Sequence, residues 1–240
     1  MHIIHIWGAV MLVIIYPFKL FSISHIIAII LTLVGVLFLF LVRNRITPKG
    51  KLVLKVGLIA SLFLSELTFQ LWYLLRGEWT IETNLPFQLC SLSLYLCVIM
   101  LLMGSYRLFE VTYFASMAGA LIAVITPELF YGFPHIRYFQ FFIAHAAIIL
   151  SAFYMIWMEG FHVTFRSVIR AFISLNAIAL MVYFIDRITG ANYMFLAHKP
   201  YNMSPIDYLG PYPWYLLSLE FVAFFVFLLL YLPFFLYNKR

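Results

Sequence analysis

Asn84-Leu-Pro-Phe-Gln-Leu-Cys-Ser-Leu-Ser93 opens an apolar run, Leu85 to Met103, that is long enough to cross a bilayer. It puts a thiol and several polar groups near the mouth of that run, and in hydrocarbon each such group needs a partner or a purpose. Reading it as a membrane span decides the class of the whole chain, because comparable runs recur along it. Ile26 to Val42 is uninterrupted and stops at Arg43-Asn-Arg45. Val56 to Leu75 carries Glu66 and Gln70, and Val111 to Ile125 is closed by Thr126-Pro127-Glu128. Tyr138 to Met158 contains His145, Ser167 to Ile185 contains Asn176, and Trp214 to Tyr237 contains Glu220. These runs predict an all-α polytopic bundle of seven transmembrane helices, in one membrane domain over residues 1–240 with the bundle in 25–240. Within residues 1–24, Ile3 to Tyr16 is apolar but shorter than the roughly 17 residues a span requires, and Pro17 and Lys19 end it. With no basic leader and no small-residue cleavage site, it reads as an interfacial or re-entrant segment.

Composition agrees. The chain is 65% hydrophobic and only 10% charged, a ratio that excludes a soluble domain of this size. Its net charge of +6 is no nucleic-acid footprint, since the cations stand in short loops between apolar runs. Ten of the 15 Lys and Arg fall at one set of loop ends and five at the other. The rule that cytoplasmic loops are positive then predicts an external N-terminus and a cytoplasmic C-terminus. No internal repeat of the transporter kind is visible. Cys90 and Cys97 lie two helical turns apart, about 10 Å, which is too far for a disulfide. No metal pair is present, and no cofactor is expected.

Counting about 1.5 Å per residue from the external end of each run gives depths of roughly 7 Å for Cys90 and roughly 10 Å for His145 and Glu220. Gln70 and Glu66 come at roughly 8 and 14 Å, and His25 opens the first span. Polar groups from five helices thus share the outer half of the membrane, while the inner half is almost purely apolar. An ionisable group at such depth faces the bundle interior or a wet cavity. Cys97, among Leu, Val and Met, reads as an apolar filler. A Cys–His pair permits acyl transfer: the thiolate attacks a carbonyl and the imidazole takes and later returns the proton. Cys90 is the candidate nucleophile and His145 the base, with Glu220, Glu66 or Gln70 orienting the imidazole.

Five motifs carry a family likeness. They are Phe21-Ser22 with His25, Asn84-Leu-Pro with Cys90, Phe142 with His145, Gly190-Ala-Asn-Tyr-Met-Phe-Leu196 with Lys199-Pro200, and Asp207-Tyr-Leu-Gly-Pro-Tyr-Pro-Trp-Tyr215. On these the chain resembles the YwaF family of bacterial integral membrane proteins, from about residue 20 to its end. That family has His two residues before the cysteine where this chain has Gln88. Gln88 is therefore taken, with His25 and Asn192, as an orienting or substrate-binding residue. The YwaF family is itself similar to a eukaryotic multi-pass acyltransferase that remodels phospholipids through a cysteine. The resemblance implies a bacterial plasma-membrane protein whose Cys90 and His145 act on lipid acyl esters, with membrane phospholipids as partners. Two other readings stay open. One is a proton-coupled transporter or small-ligand receptor using Glu66, His145 and Glu220; the other is an assembly partner without activity. The oligomeric state is open.

Overall fold

Apolar runs flanked by caps and breakers become helices here, and the caps explain the boundaries. The computed structural model describes residues 17–200 and 205–238. Seven α-helices follow in order: α1 Ile23–Val42, α2 Pro48–Arg76, α3 Leu89–Met103, α4 Tyr106–Ile125, α5 Ile136–Trp157, α6 Phe165–Thr189 and α7 Trp214–Asn238. Ser22, Thr47, Ser105 and Thr164 accept backbone N–H groups at the starts of α1, α2, α4 and α6, and the ring of His135 does so for α5. Each such cap is worth about 1 kcal/mol. Gly77, Gly104 and Gly190 close α2, α3 and α6 in the left-handed conformation that glycine adopts without strain.

Six of the seven helices are long and apolar enough to cross a membrane; α3, with 15 residues, is the shorter one. Among the described residues no strand forms, only an isolated bridge between Pro17 and Tyr131. The expected segment Ile3 to Tyr16 lies outside the described residues. Two boundaries differ from the sequence reading in ways that matter. α2 begins at Pro48 rather than Val56, because Thr47-Pro48 supplies a cap and a first-turn proline ahead of the polar Lys49, Lys51 and Lys55. α3 begins at Leu89 rather than Leu85, because Pro86 biases its predecessor away from helical backbone and the turn from 80 to 88 is held by other bonds.

Contacts fix which helix ends lie together. Tyr138 Oη donates to the Ser24 carbonyl, joining the starts of α5 and α1. His25 Nε2–H donates to the Val124 carbonyl at the end of α4. Gln70, near the end of α2, donates to the Asn84 carbonyl just before α3. We call this the cysteine end. At the other end Lys51 Nζ donates to the Met158 carbonyl and Tyr106 Oη to the His162 carbonyl. Successive helices therefore alternate in direction.

α4 and α5 form the centre, each more than half buried along its apolar length, whereas α7 is almost wholly uncovered. Lipid offers no hydrophobic drive for helix pairing, so close van der Waals packing must supply it. Small residues allow that approach: Ala115 and Ala120 on α4, and Ala144, Ala147 and Ala152 on α5, are all buried. α1, α2 and α3 pack against α5, while α6 and α7 pack against α4. Buried Glu110 on α4 accepts from Ser167 and Arg170 of α6, pinning the end opposite the cysteine.

Candidate functional site

The site grows from the short α3. Fifteen residues of helix span about 22 Å, less than the roughly 30 Å of a hydrocarbon core. Asn84, five residues before the start of α3, is bonded by Gln70, which stands six residues or about 9 Å before the end of α2. The connection from Gly77 to Gln88 therefore dips into the bundle. Irregular backbone at that depth requires partners of its own. Asn84 Oδ1 accepts from the Thr80 N–H and from Thr83 Oγ1, and Gln70 Nε2 donates to the Asn84 carbonyl. Fully buried Tyr193 clasps the same turn: its hydroxyl donates to the Ile81 carbonyl and accepts the Leu85 N–H. Tyr193 is held by Asp186 Oδ1, which accepts its backbone N–H.

Cys90 is the second residue of α3 and is half-buried. Gln88, at the cap position, makes no side-chain capping bond; its Oε1 instead accepts the Met194 N–H. Helix geometry leaves the first-turn N–H groups of Leu89, Cys90 and Ser91 without helical acceptors. A thiol there faces the positive end of the helix. The Leu89 side chain packs within 3.4 Å of where a Cβ on Gly119 would be, so this glycine of α4 lets the α3 entry approach closely. Glu128, in the loop after α4, acts electrostatically on the Cys90 thiol. Partial burial raises the Glu128 carboxyl above its ordinary value.

His145 lies nine residues into α5, about 13 Å from its start, and is 5% exposed. Nδ1–H donates to the Phe141 carbonyl at 2.7 Å, while Nε2 is buried without a partner. A carbonyl only accepts, so this bond puts the proton on Nδ1 and leaves the Nε2 lone pair available. A backbone carbonyl, rather than a carboxylate, thus orients this imidazole. α3 and α5 pack directly on one another, with no hydrogen bond between Cys90 and His145 among the described residues.

The other singled-out residues fall into separate neighbourhoods. Glu66 and Gln70 are one turn apart on α2, with Gln70 Nε2 donating to Glu66 Oε1 at 2.8 Å. Tyr95 Oη of α3 donates to the same oxygen, and Trp79 Nε1 donates to Gln70 Oε1. Glu66, Gln70 and Tyr95 supply the polar groups of a cleft of about 200 Å³ between α2 and α3, otherwise walled by Phe63, Leu67, Leu94 and Val98. Cys90, His145 and Glu220 do not line that cleft. Glu220 accepts from Asn176 on α6. His25 has both ring nitrogens occupied, Nδ1 accepting the Phe21 N–H. Asn192 orders the loop after α6 by accepting from the Ala197 and His198 N–H groups.

Sequence reasoning missed four residues. Tyr95 and Glu128 carry no local signal, since only tertiary packing brings them to Glu66 and Cys90. Tyr193 was legible as a motif position and not as a clasp, and Arg137, one of the five basic residues on the less positive side, carried no sign that it would be buried.

Comparison with known proteins adds one finding: residues 20–231 match the model of the TMEM164 family. No curated protein and no solved structure matches the chain. A match over that much of the chain, on a bundle of apolar helices, decides the family: the chain belongs to the TMEM164 family and is a multi-pass membrane protein.

Proposed function

We propose that the protein is a membrane enzyme that moves acyl groups from lipid esters through Cys90, with His145 as the base. One observation carries this reading: a helix that starts inside the bundle, with a thiol in its uncapped first turn, packs on a helix whose buried imidazole keeps a free Nε2 lone pair. For the reaction the two groups must come within hydrogen-bond reach, about 3 Å, directly or through one water. His145 Nε2 takes the Cys90 proton, and the thiolate attacks the ester carbonyl. The resulting oxyanion is met by first-turn N–H groups of α3. Collapse breaks the ester C–O bond, and the departing alkoxide takes the proton from His145, leaving a thioester on Cys90. A second hydroxyl, from water or a lysolipid, then gives its proton to His145 and attacks the thioester; the C–S bond breaks, the acyl group leaves on that oxygen, and the Cys90 thiolate takes the proton back from His145. Transferase and hydrolase differ only in that acceptor.

The bias of basic residues supports a cysteine end facing outward, with seven crossings and a cytoplasmic C-terminus. The cleft between α2 and α3 supports lateral entry of an acyl chain from the outer leaflet, its wall being apolar and its polar groups confined to Glu66, Gln70 and Tyr95. The YwaF likeness adds the plasma membrane of a bacterium as the setting.

A competing reading, a proton-coupled transporter or ligand receptor, draws on Glu66, a buried carboxylate whose hydrogen bonds among the described residues come from an amide and a phenol. A thiol-reactive lipid analogue separates the two. Labelling of Cys90 and not of Cys97, read on the intact protein, is the expected result. Failure to label Cys90, with proton-coupled flux surviving Cys90→Ala, overturns the enzyme reading.

A further inference from the structure

Arg137 stands in the first turn of α5 at the cysteine end and is 9% exposed. Its guanidinium carbon lies 4.4 Å from the centre of the Phe69 ring, and 5.5 and 5.7 Å from those of Tyr73 and Trp72 on α2. One terminal nitrogen donates to Gln140 Oε1. Nε is buried without a partner. Among the described residues the side-chain ion pairs are Arg76–Glu78 and Arg170–Glu110; Glu66 acts on Arg137 through space without forming an ion pair, and the Tyr73 side chain hydrogen-bonds it. Its surroundings are polar and aromatic, with Arg76 paired to Glu78 and the His135 ring accepting the Arg137 backbone N–H. The Arg76 guanidinium lies 4.7 Å from the Trp72 ring centre, and His135 stacks on Tyr131 at 4.2 Å and meets the edge of Trp72.

A desolvated guanidinium with an unpaired N–H is costly, and aromatic faces compensate only part of its lost hydration. What this pocket lacks is an anion in direct contact with the guanidinium. An arginine fork matches the oxygens of a phosphate, and the positive end of α5 adds to the attraction. Trp72, Tyr131 and His135 are only half-buried, so the cluster can be reached from its rim. Aromatic residues of this kind concentrate at the headgroup level of a bilayer. We propose that Arg137 binds the phosphate of a glycerophospholipid. This rests on reading the site as one for lipid esters and names the headgroup end of that substrate. His145 is two turns further along α5, about 12 Å, so a lipid held by its phosphate extends its ester linkages toward His145 and Glu66.

The test is retention of defined ligands by the purified full-length protein, read by native mass spectrometry. The probes are phosphatidylglycerol, phosphatidylcholine, diacylglycerol and inorganic phosphate. The unmutated protein retains both phospholipids, and Arg137→Gln loses at least about ten-fold of that affinity, as expected for one charge-assisted fork. Arg137→Lys, which keeps charge and bulk, falls between the two, and it serves as the deciding variant should Arg137→Gln fail to fold. Diacylglycerol binding is the same in all three, and exposed Arg107→Gln binds as the unmutated chain does. Equal phospholipid retention by the unmutated protein and the Arg137 variants overturns the site. Arginine-dependent binding of inorganic phosphate that displaces no phospholipid overturns the lipid assignment in favour of the free anion. Because the readout is binding, it is separate from turnover. Cys90→Ala retains phospholipid normally, and a protein without acyl-transfer activity that still loses phospholipid on Arg137→Gln upholds this site while overturning the catalytic reading.

Discussion

Replacing Tyr193 by Phe removes one oxygen and tests whether the sunken entry to α3 is held from the loop after α6. The ring is fully buried against Phe87, and a Phe keeps that packing. The hydroxyl bonds the Ile81 carbonyl at 2.7 Å and the Leu85 N–H at 2.9 Å. Its loss removes a bond to the carbonyl of exposed Ile81 and one from the N–H of half-buried Leu85, each worth about 0.5–1.5 kcal/mol net. The sum comes to about 1–3 kcal/mol. Concentrated in one turn, that is roughly a 5- to 150-fold increase in local opening. Hydrogen exchange of residues 80–88 in a lipid nanodisc reads it directly. We expect faster exchange there, with the centres of α4 and α5 unchanged, and slower acyl turnover because Cys90 follows that turn. Unchanged exchange over 80–88 would refute the clasp.

Three further outcomes follow from the geometry. Arg170→Ala leaves buried Glu110 with only Ser167 and destabilises by about 2–4 kcal/mol; Glu110→Gln keeps a bond to Ser167 and costs about 1–2 kcal/mol, since exposed Arg170 regains water. Denaturant titration in mixed micelles checks the order. Burial, then Arg137 and Arg76, lower His135 below its ordinary 6.5, so the unfolded chain binds the proton more readily. Its contribution is complete above pH 6.5 and is lost as pH falls through the lower folded value, and thermal melts of His135→Gln should lose that acid-side decline. Glu128, raised by burial, works oppositely: its contribution is complete below 4.5 and fades as pH rises through the folded value, so Glu128→Gln should flatten that second slope.

The helices were legible because apolar runs meet punctuation such as Ser22 and Thr164 before and Gly77, Gly104 and Gly190 after, although Lys49, Lys51 and Lys55 hid the start of α2 at Thr47-Pro48. The start of α3 was not, although Pro86 carried the signal, because Leu85 and Phe87 continue the hydropathy that marks a span. Within the site, the Glu66–Gln70 pair follows from helical spacing alone. His145 was legible as an intramembrane ionisable group, but its Phe141 partner becomes readable only once α5 is known to be helical there. The Asn176–Glu220 bond and the aromatic cage of Arg137 depend on which helices become neighbours, and hydropathy carries no information on that.

The central claim is that Cys90 carries the acyl group. Acyl exchange or hydrolysis of labelled phospholipids by purified protein in bilayers tests it most directly. Cys90→Ala should abolish turnover with the bundle intact, Cys90→Ser should be nearly as damaging, and His145→Ala should lose roughly two to four orders of magnitude. Cys97, fully buried in the core, is the control, and Cys97→Ala should leave the rate unchanged. Equal rates for Cys90→Ala and the unmutated protein would contradict the account.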